Sequence, residues 1–185
     1  MQGGGVDTRT LTWGDAVNTM KEHSLSGFNF VFQKVDHRYE WINEMIDLRQ
    51  KLMASYMKLL EIKSDAGPSD TISQEITGFC DQLIDYVSHG HFDLYPRILE
   101  LIENASGRSL SIARRALPNI EHTSDYLMGF NDRYCQSITA AKLKTLKKDL
   151  GEAGKCLETR FRNEDRLIIG LRLVHAAVDT PVSAK

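Results

Sequence analysis

Several of the residues and patterns that carry recognisable chemistry are scarce or missing from this sequence. Cysteine occurs three times, at Cys80, Cys135 and Cys156, an odd number with no C-x-x-C spacing. That excludes a disulfide framework and reads as reduced thiols in a cytoplasmic protein. No segment approaches the roughly 18 consecutive apolar residues of a membrane span. The first residues, MQGGGVDTRTLTWGD, lack the basic stretch and apolar core of a signal peptide. There is no G-x-S-x-G, no phosphate-cradling glycine loop and no Cys–His pairing with a recognisable local pattern. Gly151 and Gly154 fall inside a helical pattern and are expected to let helices approach closely. His89 and His91 form an H-x-H pair, but no Cys or further His stands at ligand spacing. The Glu-x-x-His repeats that a di-iron bundle requires are missing as well. Neither an enzyme nor a metal or other cofactor is expected.

Sustained strand alternation is also absent, and what fills the sequence is helical periodicity. A capping pattern at Thr12 and Asp15 predicts a short helix behind a disordered glycine tip at 3–5. A long helix is predicted over residues 29–62, with Ile42, Met45, Leu52, Tyr56 and Leu59 recurring at threes and fours. Gly67 and Pro68 mark a linker. A second helix is predicted over 71–89, burying Ile76, Phe79, Leu83 and Val87 and ending at Gly90 with positive φ. Asp93 is expected to cap a restarted helix that Phe92 and Tyr95 pack against the core. NASGRS is read as a loop, LSIARRAL as a short basic helix, and Pro118 as the start of another. The last helix, 140–178, carries the stripe Leu143, Leu146, Leu150, Ala153, Leu157, Phe161, Glu164, Ile168, Leu171, His175, Val178. The expected fold is all-α: one domain, an antiparallel four-helix bundle with additional short helices at the N-terminus and at the bundle end.

Charge is distributed unevenly beneath a net of -2. Residues 65–103 hold eight acids against one base, Arg97, whereas residues 104–185 hold nine acids and fourteen bases. The acidic middle would repel phosphates and attract something basic. Two charges interrupt apolar stripes, Arg49 and Glu164. A lone buried charge costs several kcal/mol, so either the two face each other, with His91 or Tyr86 completing a buried polar network, or both snorkel to solvent at the stripe's edge.

The stretch FCDQLIDYVSHGHFDLYPRIL, residues 79–99, resembles the signature of the Rsd/AlgQ family of bacterial anti-sigma factors, F-C-x-x-L-[VI]-D-Y-x-S-x-G-H-F-x-x-Y-x-x-I-L. LGEAGKCLETRFRNEDRLI (150–168) resembles that family's L-x-x-R-F-x-x-E-D-x-L-I, and LRQKLMASYMKLLEIK (48–63) resembles the end of its first long helix. The chain departs from the family in its N-terminal residues, with Trp13 and the aromatic run FNFVF, and in Met45, where the family often has tryptophan. The resemblance implies a helical bundle of residues 28–178, between an extension (1–27) and a frayed tail (179–185). It implies a cytoplasmic, stationary-phase regulator that binds the primary sigma factor of RNA polymerase and blocks core and promoter engagement. Neither nucleic acid nor membrane is an expected partner, and the expected state is a monomer or weak dimer. Asp85 is the position carried over as a sigma contact. Asp81 lies one turn earlier on the same flank, and Ser88, His91 and Phe92 complete the expected partner-binding set. A divergent member binding a phosphotransferase carrier or an alarmone enzyme is a second reading. A ligand- or metal-sensing bundle built on Arg49, His91 and Glu164 is a third.

Overall fold

A computed structural model describes residues 39–63, 67–103 and 107–178, with the backbone alone for 175–178. The expected N-terminal helix, the start of the first long helix and the tail lie outside the described residues. Those described are all helical apart from short connections: α1 (Glu40–Leu60), α2 (Asp70–His89), α3 (Tyr95–Glu103), α4 (Gly107–Tyr134) and α5 (Ala140–Val178). Ser69 caps α2, its hydroxyl accepting from the Ile72 N–H at 3.3 Å, which satisfies one of the orphan donors of a helix start.

Two expected boundaries are corrected. Gly90 does not end a helix. It has φ -56° and ψ -52°, and the chain runs from α2 into α3 through a π-turn, Gly90–Leu94, closed by the Tyr95 N–H donating to the Gly90 carbonyl. Asp93 is therefore no cap, and its carboxylate faces His89 and Arg97 at 3.7 and 3.6 Å on the surface. Glycine is needed here for close approach: a Cβ would sit 2.9 Å from the Tyr95 ring and 2.7 Å from its hydroxyl. Pro118 likewise starts no helix. It lies exposed inside α4, which runs unbroken from Gly107. Ala113, Ala116, Ile120 and Thr123 are all buried on its inner face, and that packing outweighs the bond proline cannot make.

The helices thus form four rods: α1, the bent α2–α3, α4 and α5. One half of the core is aromatic, running Tyr56, Phe79, Phe130, Tyr134 with ring centroids 6.1, 5.7 and 4.7 Å apart in turn. There Gly154 leaves room for the Tyr56 ring, whose hydroxyl donates to the Leu150 carbonyl at 3.0 Å. This is the close approach expected of that glycine. The other half, apolar for the most part, also buries the polar side chains of Arg49, Arg160, Asn163 and Glu164.

Candidate functional site: a buried ionic cluster beneath an acidic face

The polar cluster is built around Glu164 on α5, fully buried. Arg49 of α1 reaches it with Nη2 donating at 2.7 Å, and its Nη1 donates to Asp165 at 2.8 Å. The hydroxyls of Tyr86 (α2) and Tyr95 (α3) each donate to one carboxylate oxygen. Arg160, one turn earlier on α5, places Nε 3.3 Å from Glu164. Its Nη1 donates into α4, to Ser124 Oγ at 2.9 Å, Thr123 Oγ1 at 3.3 Å and the Ile120 carbonyl at 3.4 Å. The guanidiniums also lie over rings, Arg49 4.7 Å from the Phe161 centroid and Arg160 5.6 Å from that of Tyr86.

Two cations thus meet two carboxylates, so the buried charge balances. Burial alone would push the Glu164 carboxyl up; Arg49, Arg160 and the two phenols outweigh it and hold it below the usual glutamate range. Burial and the neighbouring carboxylate push Tyr86 and Tyr95 up, so both stay protonated as donors. The cluster ties every rod to α5. With Arg49, Arg160 and Glu164 buried and Asp165 at its partly exposed edge, it is equipped to hold helices in register.

Arg49, Tyr86 and Glu164 are therefore brought together, and His91 is not among them. It stands exposed on the π-turn, its ring edge-on to Phe92 at 5.0 Å, and lines a groove of about 280 Å³ with Tyr95, Pro96 and residues of α4. Among the described residues no group of three His, Cys, Asp or Glu stands ready to hold a metal ion. Sequence reasoning missed Arg160, Tyr95 and Asp165 as members of the cluster. Arg160 was detectable in principle, as a cation four residues before Glu164 on one helix.

Above the cluster lies the outer flank of α2. Asp81 and Asp85 are exposed and Ser88 is half-buried. Phe92 corrects an expectation: it does not pack inward but is 75% exposed, while Leu94 and Tyr95 are buried at 1% and 5%. The buried face runs on from Val87 through Gly90, Leu94 and Ile98 in steps of three and four, and Phe92 falls between those positions on the outside. The signature stretch is thus two-sided, with Tyr86 and Tyr95 gripping Glu164 below, and two acids with an aromatic above.

Comparison with known proteins decides what this two-sided helix belongs to. The family described as regulator of RNA polymerase sigma(70) subunit, Rsd/AlgQ, matches residues 25–172. The chain belongs to the Rsd/AlgQ family. It is 31% identical over 138 residues to a regulator of sigma D from Yersinia enterocolitica, covering 74% of this chain and 83% of that one. A regulator of sigma D from Yersinia pestis is 30% identical over 138 residues, 74% of this chain and 82% of its own. Another from Shigella boydii is 29% identical over 130 residues, 69% and 81% respectively. The Glu164 cluster lies wholly within the family match. No helix among the described residues is long and apolar enough to cross a membrane.

Proposed function

We propose that this chain is an anti-sigma factor, an antiparallel four-helix bundle of residues 28–178 that binds the primary sigma factor of RNA polymerase in the cytoplasm. The observation that carries this reading is the exposed pair Asp81 and Asp85 on α2, with Phe92 exposed on the π-turn that follows, in a chain of this family. A promoter-reading helix-turn-helix domain is necessarily basic because it meets phosphates. An acidic helix that presents carboxylates to those same side chains competes with DNA, and needs neither cofactor nor catalysis. Phe92 supplies the apolar anchor that such contacts usually surround.

The test is titration calorimetry of the wild type and Asp85→Ala with purified primary sigma at two salt concentrations. Truncating one partner of a desolvated charge contact costs about 2–5 kcal/mol, so Asp85→Ala should bind at least about tenfold more weakly. Its melting temperature should not fall, because the side chain is exposed. Wild-type binding should weaken as salt rises. Equal affinities would remove Asp85 from the interface, and a wild type that does not bind would reject the reading itself.

A further inference from the structure

The acidic flank of α2 has a counterpart of opposite sign on α5. Arg162, Arg166, Ile169 and Leu173 follow one another in steps of four, three and four, and all four are exposed. Ile169 and Leu173 are 43% and 39% exposed, among the larger apolar side chains left open to solvent. The two arginines are tethered only within their own helix. Arg162 pairs with Glu158 on the surface, and Arg166 donates to Asn163 Oδ1 at 3.0 Å. Exposed pairs of this kind are worth well under about 1 kcal/mol, so both cations can be recruited at little cost.

On α2 the residues Asp81 and Asp85 stand one turn apart, as Arg162 and Arg166 do on α5. The α5 stripe runs about 16 Å at 1.5 Å per residue. Laid side by side in parallel, the two helices set Asp81 against Arg162 and Asp85 against Arg166. We propose that the α5 stripe is a docking site for the α2 flank of a second copy of this chain. The two surfaces are different patches, so the contact is head-to-tail and generates open chains of copies. Charge complementarity selects the occupant, and a net charge of only -2 leaves little overall repulsion to oppose it. Copies joined this way hide Asp81 and Asp85. Self-association would then withhold the anti-sigma face at high concentration, a consequence that rests on the proposed function, whereas the association itself does not.

Sedimentation velocity of the full chain tests this without sigma present. At low salt the wild type should sediment faster as its concentration rises. At roughly 1 M salt, where the Debye length is about 3 Å, it should return to the monomer. The variants Arg162→Glu/Arg166→Glu and Asp81→Lys/Asp85→Lys should each stay monomeric, and an equimolar mixture of the two should associate again. All four positions are exposed, and unchanged thermal melts confirm that each variant is folded. A wild type that remains monomeric at low salt overturns the proposal, as does association that persists in both variants or a mixture that fails to associate. So does a wild type that binds a DNA duplex through Arg162 and Arg166 in place of itself. The consequence for sigma is read separately: Arg162→Glu/Arg166→Glu should bind sigma undiminished at concentrations where the wild type is associated and binds less. Equal sigma binding by both at such concentrations would leave the association standing and refute its regulatory effect.

Discussion

A carboxylate taken out of water survives as an anion only if its surroundings replace the hydration it lost. Glu164 does so with two arginines and two phenols, each side chain committed by its own packing. Removing one partner from such a group leaves an uncompensated buried charge, at a cost of about 3–5 kcal/mol. Arg49→Ala and Glu164→Ala should each destabilise by that amount in chemical denaturation. The double variant should be less unstable than the sum of the two, and additive losses would show that the pair is not coupled. Both residues were legible in the sequence, because a charge in an apolar stripe breaks a period that is easy to count. Arg160 was not. The stripe reading gives α5 one buried column, whereas its middle buries two, with Arg160, Asn163 and Leu167 beside Leu157, Phe161 and Glu164. A helix surrounded by neighbours hides more of itself than one stripe, and which residues those are depends on helices distant in sequence.

At the scale of elements the same limit appears at Gly90. Existence and extent of the helices were largely legible from period and punctuation, including both ends of Ala140–Val178. Glycine after a helical run ordinarily signals a stop, and nothing within a few residues distinguishes that case from this one. What keeps the helix going is Tyr95, which must reach Glu164 and does so only if one extra residue is accommodated before it. Gly90→Ala sets a methyl group against the Tyr95 ring and should destabilise by about 1–3 kcal/mol, the usual cost of overpacking. Removing the obstacle in Gly90→Ala/Tyr95→Leu gives the direct check. If the collision is the cause, adding Gly90→Ala to a Tyr95→Leu background should cost clearly less than adding it to the wild type. Equal costs in both backgrounds would point to the backbone itself. The exposure of Phe92 follows from the helix continuing: Val87, Gly90, Leu94 and Ile98 fill the buried face and leave Phe92 outside it. Pro118 is the remaining case, a local stop signal overruled by burial along the inner face of α4.

At the scale of the whole molecule, the segregated charge of the sequence becomes a geometry. The acidic segment forms the bent α2–α3 rod and the basic excess lies on α4 and α5, so opposite signs occupy different rods. Inside, the ionic cluster gathers donors from α1, the α2–α3 rod and α5 around Glu164, while α4 accepts from Arg160. The connection at 135–139 separates the two groups along the chain: Arg49, Tyr86 and Tyr95 precede it, while Arg160, Glu164 and Asp165 follow. A backbone cut there would leave one piece with a cation and two phenols lacking their anion, and the other with an anion short of its donors. Neither piece can close an apolar core around what it holds. Separately made pieces 1–136 and 137–185 should therefore each lack a cooperative thermal transition by circular dichroism, and mixing them should restore one. A cooperative melt from either alone would mean that this half carries its own fold. Reconstitution on mixing would make the chain a split protein whose halves recognise each other through a shared salt bridge, a property that follows from where a single glutamate lies along the sequence.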